Sequence, residues 1–121
     1  MEGTASRDVS LTIPAQAGYL VLARLALSAV CRLTPLEAVE VADLKLAVTE
    51  AANEFVDPEG STDTTIDFDF RLADDRLTLE LSGPRAPEDA SELELSRAII
   101  EATVDESDFA PERTLLVKRL K

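Results

Sequence analysis

The chain has 121 residues, 45% hydrophobic and 30% charged, and 24 acidic residues against 12 basic ones give a formal charge of −12. That size suits one compact domain with one ordinary core, and the lack of histidine excludes a Cys/His zinc site and histidine general-base chemistry. The negative field repels nucleic-acid backbones and anionic lipid surfaces, so direct DNA or membrane binding is not expected; the charge serves solubility or suits a basic partner.

Arg24 and Arg32 interrupt the most apolar stretch, Tyr19 to Leu33, so no uninterrupted run reaches the length of about 18 residues that a membrane span needs. Met1 to Asp8 lacks a basic start followed by an apolar segment and does not read as a signal peptide. A cytoplasmic protein is expected, one domain over residues 1–121 with residues 1 to about 7 disordered. The single Cys31 cannot form an internal disulfide and reads as a small core residue.

Val9, Leu11 and Ile13 alternate with Ser10 and Thr12, which predicts a first strand ending at Pro14. Gly18 opens a helical run in which Leu20, Ala23, Leu27 and Val30 recur at spacings of three or four, predicting a largely buried first helix. Thr34-Pro35-Leu36-Glu37 predicts the start of the second, with Thr34 as N-cap, Pro35 at N1 and Glu37 closing a capping box. That helix should run to Phe55 or Val56, stopped by Asp57-Pro58-Glu59-Gly60.

Ile66, Phe68, Phe70 and Leu72 alternate with polar residues, as do Leu77, Leu79 and Leu81 beyond Ala73-Asp74-Asp75-Arg76, which predicts an antiparallel hairpin with one buried face. Ser91 and Glu94 form a second capping-box pattern ahead of Leu95, Ala98, Ile99 and Ala102 on one side of a third helix, and a last strand covers Thr114 to Leu120. The order strand, helix, helix, strand, strand, helix, strand predicts an α/β (α+β) two-layer sandwich, with helices on one face of a mostly antiparallel mixed sheet.

Ile13-Pro14-Ala15, then Tyr19 to Ser28, then Asp43-Leu44-Lys45-Leu46-Ala47-Val48-Thr49-Glu50-Ala51 resemble the N-terminal half of the serine-kinase anti-sigma factors, members of the histidine-kinase-like (GHKL) ATPase superfamily. The resemblance implies the histidine-kinase-like ATPase (Bergerat) fold. It implies ATP and Mg²⁺ as cofactors if activity is retained, and a sigma factor or an anti-sigma antagonist as partner. It also implies Glu50 as the base that activates a hydroxyl, Arg24 as a partner-binding residue, and a homodimer through the first strand and first helix.

The match departs from the family in three places. The family's magnesium-holding asparagine stands four residues after the glutamate; here that position is Glu54, and Asn53 comes one residue early, turned about 100° away. Asn53 and Glu54 are the candidate cofactor residues, and Glu54 can ligate a metal. An aspartate-led glycine motif is expected after the hairpin, but the chain offers Ser82-Gly83-Pro84-Arg85; the lid and second glycine motif correspond to Ala86 to Ser96, acidic and without glycine. Backbone approach to phosphate is harder on such a turn.

Helical geometry groups Asp43, Glu50, Glu54 and Asp57 on one flank, either a solvated acidic face or a surface for a divalent cation or a basic partner. The favoured reading is a degenerate anti-sigma-like regulator that binds protein, with ATP binding lost or weakened and no cofactor. The alternative is an active ATP-dependent serine kinase that phosphorylates an anti-sigma antagonist, and a metal-binding acidic scaffold is a third.

Overall fold

The computed structural model describes residues 7–59, 63–86 and 89–120. β1 (Arg7–Pro14) leads through a single 3-10 turn at Ala17–Tyr19 into α1 (Leu20–Cys31) and α2 (Ala38–Asn53). The β2–β3 hairpin (Thr65–Leu72, Arg76–Ser82), α3 (Ala90–Thr103) and a second hairpin, β4 (Glu106–Ala110) with β5 (Arg113–Arg119), follow. The segment expected to be disordered lies outside the described residues except for Arg7, which opens β1.

The strands lie in the order β1-β2-β3-β5-β4. Alternation fixes the register: Phe68 pairs with Leu81 and Phe70 with Leu79, all buried toward the helices. The intervening Asp67 and Asp69 accept hydrogen bonds from Thr12 Oγ1 at 2.6 Å and Ser10 Oγ at 2.5 Å on the polar outer face. Leu27 from α1, Leu44 and Ala47 from α2 and Ile100 from α3 complete the core. Burying each Leu, Ile or Phe contributes roughly 1.5–3 kcal/mol, while the alanines at 47, 51 and 52 let α2 lie close to its neighbours.

Four details differ from the sequence expectation. β4 is an additional strand, half-buried at a sheet edge, and it makes every described strand pairing antiparallel instead of mixed. It reverses the chain after α3, so β5 enters antiparallel to β3. The start of α2 lies three residues later than expected: Glu37 is the N-cap, and Glu40 Oε1 accepts its backbone N–H at 3.0 Å. Thr34 Oγ1 instead closes the preceding turn, donating to Cys31 O at 2.7 Å and accepting from Leu36 N at 3.2 Å.

The start of α3 moves as well, with Asp89 as N-cap and Ser91 Oγ donating to its carboxylate. Finally, α1 is buried on one side only: Leu20, Ala23, Leu27 and Val30 face the core, whereas Val21, Leu22 and Leu25 are exposed. Apolar density therefore overstated its burial in this chain. No helix among the described residues is long and apolar enough to cross a membrane.

Candidate functional site

The site forms where α2 ends. Beyond Asn53 the backbone tightens, with Glu54 N bonded to Ala51 O at 3.2 Å and Phe55 N to Ala52 O at 2.9 Å, and Pro58 prevents continuation. Asp57 has already left the helix; its N–H binds Ala15 O at 2.8 Å, pinning the exit to the end of β1. This turn sends Glu54 and Phe55 inward, each 1% exposed.

A buried carboxylate at a helix C-terminus is doubly unfavourable, through desolvation and through the negative end of the helix dipole. Two arginines offset both. Arg85 Nη1 lies 2.7 Å from Glu54 Oε1, and Arg97 Nη2, from α3, lies 3.2 Å from the same oxygen. Arg85 also donates through Nε to Ala110 O at 3.0 Å and through Nη2 toward Ala110 O, Arg113 O and Thr114 Oγ1 at 2.6–2.9 Å. Its guanidinium stands over the Phe55 ring and that of Arg97 over Phe109, 4.7 and 4.3 Å from the ring centroids.

Arg85 thus ties the end of α2 to the β4–β5 hairpin, and Arg97 ties both to α3. Glu54 Oε2 and Arg97 Nε are buried without a hydrogen-bond partner.

The strand exit that delivers Arg85 depends on Gly83. Its φ is +150°, and a Cβ there would stand 2.8 Å from Thr65 O, so this glycine serves close packing of backbone on backbone. Three residues on, Ala86 N donates to Glu54 O at 3.0 Å, fastening the segment across the helix end. Residues 87 and 88, within the stretch corresponding to the family's lid, lie outside the described residues.

As placed, Glu54 is committed to cations of the chain itself. Glu54 Oε1 is already engaged by two guanidiniums, and a dication beside them would be repelled. The cleft beside Arg85, bounded by Phe55, Asp57, Thr64 and Pro84, measures about 180 Å³, below the roughly 300–1,000 Å³ of ordinary ligand pockets.

The acidic flank expected from the sequence does not assemble. Asp43 is exposed, Glu50 is half-buried, Glu54 is enclosed and Asp57 is off the helix. No group of three or more acidic or cysteine side chains placed to hold a metal occurs among the described residues. Glu50 lies one turn before Glu54, and its carbonyl accepts from Ser96 Oγ of α3 at 3.4 Å. Asn53 is exposed on another side of α2. Arg24 is not among the residues that contact Glu54: it is half-buried on α1, with Nη1 3.4 Å from Thr49 Oγ1.

Arg85 and Arg97 were absent from the candidates drawn from sequence. The signal available was the register of α2, since the spacing that buries Leu44, Ala47 and Ala51 reaches Glu54 next. A carboxylate in that register demands a buried cation.

No protein-family model matches the sequence, and no curated protein matches it. Among solved structures, the RsbU and RsbW domains of Rv1364c from Mycobacterium tuberculosis are similar over 95% of this chain, with a TM-score of 0.67 and 16% identity. The chain therefore shares its fold with the matched part of that solved chain. The chain spans 32% of that solved chain. At this identity the likeness establishes the fold alone, an α+β sandwich with an antiparallel five-stranded sheet, and the site's chemistry has to be read from its own residues.

Proposed function

We propose that this chain is an anti-sigma-like regulatory protein that acts by holding a protein partner, and that Arg85 and Arg97 fill the position a metal-bound nucleotide would require. The observation that carries this reading is Glu54, 1% exposed, with both guanidiniums on one carboxylate oxygen. The internal cations supply the charge that a bound metal would otherwise bring, so the domain closes without a ligand. The glycine-free stretch at the start of α3 supports the same reading.

The partner in this proposal is a sigma factor or an anti-sigma antagonist, and Arg24 contributes to holding it. Association of two copies through β1 and α1 is supported by the exposed Val21, Leu22 and Leu25 beside an edge strand. The test offers the purified sigma factors and anti-sigma antagonists of the encoding cell to the immobilised full chain. One of them should be retained, and retained less well by Arg24→Glu.

Retention of none, or no effect of the variant, would remove the assignment. Transfer of labelled γ-phosphate to a serine of the antagonist, abolished by Glu50→Gln, would establish the kinase alternative instead.

A further inference from the structure

The other end of α2 carries a second feature. Between the last turn of α1 and the first turns of α2 runs an open groove of about 490 Å³. Cys31, Leu36 and Val41 supply apolar surface, while Ser28, Arg32 and Lys45 supply its polar wall. No carboxylate is among its lining residues, in a chain with 24 of them.

Charge pairing makes this groove unusual within the molecule. Every lysine and arginine from Arg71 to Arg119 touches a carboxylate. Arg24, Arg32 and Lys45 form no salt bridge among the described residues. Lys45 is close enough to Cys31 for its charge to act on the thiol, and Thr49, which donates to Lys45 O at 2.8 Å, places Arg24 one turn further along the same α1–α2 seam.

We propose that this groove binds an acidic amphipathic segment of the protein partner, with apolar side chains on Cys31, Leu36 and Val41 and carboxylates on Arg32 and Lys45. The inference rests on the binding-protein reading above and names the chemistry of what is bound. A net charge of −12 repels an acidic segment elsewhere, so the unpaired cations both steer it and fix its position. The apolar floor selects a peptide over a nucleic-acid backbone, for which so few cations are insufficient.

The probe is a synthetic helical peptide of about four turns, with leucines along one face and glutamates on both flanks, compared with its lysine-for-glutamate counterpart. Titrated into the isotope-labelled full chain, the acidic peptide should shift amide resonances of residues 28–45. Its affinity should fall about tenfold or more on raising salt and in the doubly reversed variant Arg32→Glu/Lys45→Glu. That variant should keep the parent spectrum elsewhere, because Arg32 is exposed, Lys45 is only half-buried, and neither forms a salt bridge among the described residues.

Equal binding of both peptides, shifts confined to other residues, or no binding of the acidic peptide at millimolar concentration would overturn the proposal. A sigma factor or antagonist retained equally by the parent and by Arg32→Glu/Lys45→Glu would overturn the groove alone and leave the binding-protein reading standing. Groove binding of the acidic peptide, with no such partner retained, would do the reverse.

Discussion

The two ends of α2 treat their cations in opposite ways. At the C-terminal end Arg85 and Arg97 converge on Glu54, surrounded by Phe55, Phe109 and backbone carbonyls. At the N-terminal end Arg32 and Lys45 flank an apolar groove with no carboxylate partner. An arginine already committed to a buried carboxylate closes a site, whereas one left unpaired beside apolar surface keeps its binding capacity for another molecule.

The sharpest way to break this contrast is at the closed end. Arg85→Ala leaves the buried Glu54 with a single cation and opens the β4–β5 contact, and it should destabilise the chain by about 3 kcal/mol or more. In a domain of this size that lowers the melting temperature by roughly 10 °C. Replacing the whole cluster together, Glu54→Leu with Arg85→Met and Arg97→Met, should recover most of that loss, since no buried charge is then abandoned. Thermal melts of the three proteins check both statements; an Arg85→Ala melt matching the parent would show that the cluster does not hold the end of α2.

Gly83→Ala should cost about 1–3 kcal/mol, because the added Cβ meets Thr65 O at 2.8 Å and the residue sits at φ +150°. Denaturant midpoints measure it, and a neutral result would mean that the β3 exit has room to move and does not fix Arg85.

At the open end the expected effect is smaller. Burial pushes the Cys31 thiol above its ordinary value of 9.0, against a weaker downward pull from Lys45. The folded state therefore favours the neutral thiol more than the unfolded state does. The resulting stability is present below pH 9.0 and is lost as pH rises from there through the folded value. Denaturant midpoints at pH 7 and about pH 10 should fall further apart for the parent than for Cys31→Ala. Equal separations would place Cys31 in a wetter environment than the structure gives it.

Much of the fold was legible because it rests on local periodicity. The alternation through Ile66, Phe68 and Phe70 fixed both the β2–β3 hairpin and its buried face. β4 escaped because Glu-Ser-Asp-Phe-Ala has one large apolar residue and pairs only at an edge, where half-burial leaves a faint pattern. The start of α2 was misread because Thr34-Pro35 and Glu37 both satisfy capping rules, and only tertiary placement decides between them.

The candidate site was half legible. The resemblance pointed to Glu50, Asn53 and Glu54, and the α2 register contained the burial of Glu54. Its partners lie 31 and 43 residues away on other elements, a separation that no local pattern bridges. Arg85 follows a glycine in a loop and Arg97 lies off the apolar side of the third helix; both acquire their roles only when α3 and the β4–β5 hairpin close on α2.

Calorimetric titration of the full chain with Mg·ATP tests the closed pocket most directly. A site filled by Arg85 and Arg97 predicts no saturable heat at millimolar nucleotide. A stoichiometric isotherm with a micromolar Kd would contradict it.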